Sequence, residues 1–248
     1  MSPADESVDA DRPTASETTQ VLHSRVDPDA FDDTIRQLTY AFGIWSPVIE
    51  AVIGVPASPA NPLARQWLSR LQKSDAPVDE LGYLHVCAFG IGDQRRAHPD
   101  AQPAPRRLTD PLHPDLWIAH IGDTVYVTVP RSISRASGML RQLDITRETN
   151  AGAGELTAWW TDSNGDAWPM PGTDQYEAGF DGSGPRDLAA AASLLADDAT
   201  SPVAGVHNCR ARAEAGCEQL ARLLTARQHP TLFRRITGPG GHTVWHTD

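Results

Sequence analysis

Two His-x-Cys units, His85-Val86-Cys87 and His207-Asn208-Cys209, are the residues of this chain whose types best suit chemistry. Imidazole and thiolate together make a zinc ligand set. On a strand, positions i and i+2 share a face, so His85 with Cys87 could meet His207 with Cys209 around one ion. The nearby Cys217 cannot join them if the residues after Cys209 are helical, since eight residues at about 1.5 Å each separate the two thiols by about 12 Å. The spacing Cys-x-x-Cys is absent, and a free cysteine commonly behaves as a small buried apolar residue. The expectation is therefore no metal and no other cofactor.

A second candidate is the loop Gly182-Ser183-Gly184, followed by Pro185 and an alanine-rich helical pattern. Glycines let a ligand approach the backbone, and free N–H groups at a helix start favour an anion. A nucleotide motif would also need Gly-Lys-Ser/Thr or a third glycine, and neither is present. The reading adopted is that Ser183 caps the helix, Pro185 lies in its first turn and Asp187 complements the dipole.

The stretch "GFDGSGPRDLAAAASLLADD", preceded by "DSNGDAWPMPGTDQYEA", resembles a pattern Gly-aromatic-x-Gly-Ser-Gly-Pro-x-x-Leu-Ala. That pattern occurs in small uncharacterised domains of phage, plasmid and accessory-genome proteins. The resemblance covers about residues 162–198. It implies an accessory or mobile-element context and carries no activity with it.

Binding surfaces are the remaining candidates. Trp159, Trp160 and Trp168 surround the turn Asn164-Gly165. Neighbours on a strand point to opposite faces, so at least one of Trp159 and Trp160 is expected outside unless another layer covers it. An exposed tryptophan would suit a protein partner. The segment 205–235 carries Arg210, Arg212, Arg222, Arg227, Arg234 and Arg235 against Glu214 and Glu218, six minus two, or +4. A helix there, followed by a hairpin, has the outline of a recognition helix and wing for nucleic acid.

No catalytic constellation emerges. Gly-x-Ser-x-Gly, His-Glu-x-x-His and a lysine-bearing phosphate loop are all missing, and Lys73 is the sole lysine. His113, Asp115 and His120 are close in sequence, which by itself assigns them no role. The net charge of −11 argues against coating nucleic acid wholesale. Three cysteines suggest no disulfide framework, and no apolar run is long enough to cross a bilayer. The expected protein is cytoplasmic and non-catalytic, binding another protein, with nucleic acid as the alternative partner. Its oligomeric state is not legible.

The elements that would position these groups follow from punctuation and periodicity. Residues 1–26 read as a disordered acidic tail. Asp27-Pro28 opens a helix through Phe31, Ile35, Leu38 and Phe42, and Asn61-Pro62 opens another through Leu63, Trp67 and Leu71 to about Ser74. A strand is expected from Leu81 through Phe89, then a long loop over 92–111. The run 116–129 reads as a hairpin turning at Gly122-Asp123, and Ser132 as the cap of a helix carrying Ile133, Ala136, Leu140 and Leu143. A second hairpin turns at Asn164-Gly165, its returning strand at a sheet edge because of Pro169 and Pro171. Helices near 183–199 and 208–227 and a third hairpin over 232–246 complete the chain. The fold class is α+β, antiparallel hairpins packed with amphipathic helices, in regions 27–150 and 151–248, read as one continuous domain or two.

Overall fold

The computed structural model describes residues 51–76, 81–98, 100, 104–147, 156–172, 176–179, 181–203, 215–226, 231–237 and 243–247. The expected tail at 1–26 and the helix after Asp27-Pro28 lie outside them. The fold is α+β, with two five-stranded antiparallel sheets.

The first sheet is built from β1 (Ala51–Pro56), β2 (Gln72–Lys73), β3 (Arg106–Thr109), β4 (Ile118–Ile121) and β5 (Thr124–Val129), in the order β1-β5-β4-β3-β2. Its β4–β5 hairpin turns at Gly122-Asp123 as expected, with Ile121 opposite Thr124 and Gly122 at φ 64°, a left-handed conformation that glycine adopts without a Cβ penalty. The second sheet comprises β6 (Gln142–Arg147), β7 (Leu156–Thr161), β8 (Ala167–Pro169), β9 (Thr231–Thr237) and β10 (Thr243–Thr247), in the order β10-β9-β6-β7-β8. The hairpin at Asn164-Gly165 forms, and β8 lies at the edge, where Pro169 can do without the N–H that an inner strand would have to donate. The last hairpin also forms and joins this sheet through β9 and β6.

Helix α1 (Pro62–Arg70) starts where its punctuation predicts. The Asn61 side-chain oxygen accepts from the amides of Leu63 and Ala64 at 2.9 and 3.2 Å, and Pro62 opens the first turn. It ends before Ser74, because β2 begins at Gln72. The helix lies between the sheets: Leu63, Ala64 and Trp67 share one apolar cluster with Val55, Ile118 and Val127 of the first sheet and with Trp159 and Ala167 of the second. The opposite face of the first sheet packs on α2 (Leu81–Ala97), and the opposite face of the second on α3 (Ser183–Asp197) and α4 (Ala215–Ala226).

Three expectations are corrected. Residues 81–97 are a helix rather than a strand followed by loop, and the expected loop also contains β3. Buried Tyr83, Val86, Cys87, Gly90 and Gln94 do recur at helical spacing. Four glycines and alanines on the buried side weaken that signal, and apolar residues on both sides imitate a central strand. No helix follows Ser132 either. Ile133, Ala136, Leu140 and Leu143 are buried, but Leu143 belongs to β6 and the others to an irregular connection. Its amides are satisfied through space: Ser137 N–H donates to an Asp162 carboxylate oxygen, Leu140 N–H to the Leu195 carbonyl and Arg141 N–H to the Thr161 carbonyl. Finally, α3 begins at Ser183 itself, with Gly182 as its cap residue and no side-chain capping bond. A capping oxygen must come from the residue before the first helical turn, and Gly182 has no side chain to supply it.

Candidate functional site

The tryptophan hairpin is not an exposed surface. Trp159, Trp160 and Trp168 are 0%, 0% and 1% exposed, so the exposure on which a partner-binding role for them rested is corrected: a second layer covers each face of the sheet. Trp159 meets Trp67 of α1 with ring centroids 5.2 Å apart, and the Trp160 indole N–H donates to the Pro169 carbonyl at 3.1 Å.

Trp168 instead belongs to a charged knot at the seam between the sheets. Asp110, directly after β3, is fully buried. One of its oxygens accepts from the Trp67 indole N–H at 2.9 Å and from Arg70 NH2 at 2.7 Å; the other accepts from Arg70 Nε at 2.9 Å and the Leu112 amide at 3.0 Å. Four donors thus fill the carboxylate, in the bidentate geometry that guanidinium favours. The Arg70 guanidinium then lies 4.4 Å from the centroid of the Trp168 ring. His113 approaches the same indole edge-on, centroids 6.4 Å apart and planes at 72°. Burial is the main cause that holds its imidazole below the ordinary histidine range, with Arg135 adding to it; Asp115 and Asp110 pull the other way. Sequence reasoning missed Arg70 and Asp110, because 40 residues separate them and no local spacing links them. It noticed His113 only for its proximity to Asp115 and His120.

The strand geometry that would let His85 and Cys87 face one zinc ion is absent. Positions 85 and 87 lie on a helix, where residues two apart do not share a face. His207 and Cys209 lie outside the described residues, and among the described residues no group of three His, Cys, Asp or Glu could hold a metal. Cys87 is buried, and burial pushes its thiol up to about 11, which keeps it protonated and unreactive near neutrality. Tyr83, one helical turn away, is raised further, first by burial and then by the neighbouring Cys87.

At the glycine loop, Ser183 is exposed and Gly184 is buried against the chain at Glu177: a Cβ at 184 would lie 2.7 Å from the Glu177 Cβ. Gly184 therefore serves a close backbone crossing, which leaves less room for an anion at Gly182, Ser183 and Gly184. Asp187 is buried one position beyond the first turn. The ion pair Arg186 with Asp181, at 2.8 Å, lies on the surface.

The C-terminal arginines divide. Arg222 is exposed on α4, its Nε donating to the Glu218 carbonyl at 3.3 Å. Positions 234 and 235 are consecutive in β9 and fall on opposite faces of the sheet. Arg210, Arg212 and Arg227 lie outside the described residues. The hairpin is not a free wing, because β9 pairs with β6 along Thr231–Arg234. The Gln219 side chain binds α4 to β10: it accepts from the Trp245 amide and donates to the Trp245 carbonyl, each at 3.3 Å.

No described helix is long and apolar enough to cross a membrane. Comparison with family models, with curated proteins and with solved structures gave no match.

Proposed function

We propose that this chain is a non-catalytic binding or regulatory protein of the cytoplasm, an accessory factor of a mobile element that engages another protein. What supports this best is the fate of the buried carboxylates with the clearest partners. Asp110 is filled by four donors, and Asp162 by the amides of Ser137, Asn164 and Asp166. Both are spent on holding connections in place, so neither is poised for acid or base work. The one large hydrophobic residue exposed among the described residues is Leu112, at 40%. A partner is accordingly met through polar and charged groups, and a net charge of −11 favours a basic protein surface and salt-sensitive association. The mobile-element context rests on the resemblance of residues 162–198.

A second reading, nucleic-acid binding through the arginine-rich C-terminal helix and hairpin, is favoured by the exposed Arg222 on α4. Two measurements separate the readings. The tagged chain, used to capture proteins from its host at low and at high salt, is expected to retain a basic protein whose purified form binds it directly and is released by salt. Titration with duplex DNA is expected to show no binding. Duplex binding that weakens steeply with salt and is reduced in Arg222→Ala overturns the first reading in favour of the second.

A further inference from the structure

His113 occupies a position that fits a neutral ring and not a charged one. The connection from β3 to β4 places it 4% exposed. Its backbone is satisfied, with the amide donating to the Asp110 carbonyl at 3.0 Å and the carbonyl accepting from the Leu116 amide at 3.2 Å. Neither Nδ1 nor Nε2 has a hydrogen-bond partner. The ring touches the edge of Trp168 on β8, in the second sheet, while its own backbone belongs to the first.

The charged groups around it come from three elements. Asp110 and Asp115 are on its own connection, Arg135 is on the connection before β6, and Arg70 ends α1 over the same indole. Of the two carboxylates Asp115 pulls harder on the ring, but it is exposed and accepts no hydrogen bond from it, and both oxygens of Asp110 are already used. A proton on His113 would thus place a second cation beside Trp168, buried and without a direct acceptor.

We propose that His113 makes the seam between the two sheets acid-labile: its protonation loosens the packing of the 110–116 connection against β8. This inference is independent of the partner the protein binds. The direction follows from burial, which lowers the folded value below the ordinary 6.5. Stability from the neutral ring is present above that ordinary value and is lost as the pH falls below it toward the folded one.

The test is hydrogen exchange on the full chain, corrected for intrinsic rates, at about pH 7.5 and about pH 5.5, values that bracket ordinary histidine titration. Peptides covering 110–116 and 167–170 are expected to lose protection together, several-fold and reversibly, on acidification. In His113→Phe the two segments are expected to exchange alike at both values, and His113→Gln gives the same comparison should the phenylalanine variant not fold. No loss in the wild-type chain, an equal loss in the variant, or a loss spread evenly over both sheets overturns the proposal.

Discussion

Helices α2 and α3 do the same work on opposite sides of the molecule, each covering the outer face of a five-stranded sheet, yet they reach close contact by different means. On α2 the fit comes from absent side chains. Trp117 lies over Gly82, and a Cβ at position 90 would lie 2.6 Å from both Ile121 and Tyr126. The sheet supplies the bulk and the helix makes room. On α3 the fit comes from a run of small side chains, Ala189 to Ala192, all buried, flanked by Leu188 and Leu195. Here Trp160, Trp168 and Phe233 of the sheet share the cluster with the helix. Glycine lowers helix propensity by roughly 1 kcal/mol relative to alanine, so α2 depends on its packing more than α3 does. Between the two stands the seam at α1, where an ion pair with a fully buried carboxylate, Asp110 with Arg70, is added to the apolar packing.

The largest effect is expected at that seam. Asp110→Ala leaves the Arg70 guanidinium and the Trp67 indole N–H without their acceptor, and should destabilise the chain by about 3 to 5 kcal/mol in urea unfolding. A change near zero would mean the sheets do not depend on it. Next comes the α3 face: Leu188→Ala, in a fully buried site, should cost about 3 kcal/mol by the same measurement. On the α2 side the comparison is sharpened by alkali. The Cys87 thiol moves from an ordinary 9.0 to about 11 on folding, so the unfolded chain loses its proton first. Stability should fall by up to about 2 to 3 kcal/mol as the pH rises from about 9 to about 11, and Cys87→Ala should lessen that slope. The smallest effect is that of Gly90→Ala. Its gain in helix propensity is opposed by the clash with Ile121 and Tyr126, for a net loss of about 1 to 2 kcal/mol. If Gly90→Ala were stabilising, the account of α2 as a helix made to fit by absent side chains would fail.

The parts legible in the sequence are those whose instructions are short. Asn61-Pro62, Gly122-Asp123 and Asn164-Gly165 each specify a backbone bend within a few residues, and each bend forms at the predicted place. The alanine-rich helix was equally plain, although its capping was not: Ser183 lies inside the first turn rather than before it. The apolar residues after Ser132 have helical spacing, yet only tertiary contacts set their conformation. Their amides bond to Leu195 and Thr161, partners that no local pattern announces. The expected exposure of the tryptophan hairpin was lost for a related reason. Exposure of Trp159 depends on whether α1 crosses the sheet above it, and strand alternation says nothing of a second layer.

By itself, then, the amino-acid order determined the α+β class, three hairpins and the start of α1, because turn and cap chemistry act over a few bonds. Tertiary structure alone decided that 81–97 coils into a helix, that β9 pairs with β6, and that Arg70, Asp110, His113 and Trp168 meet at one seam. Those outcomes turn on desolvation and on contacts between residues far apart in the chain, and their energies exist only once the layers have closed.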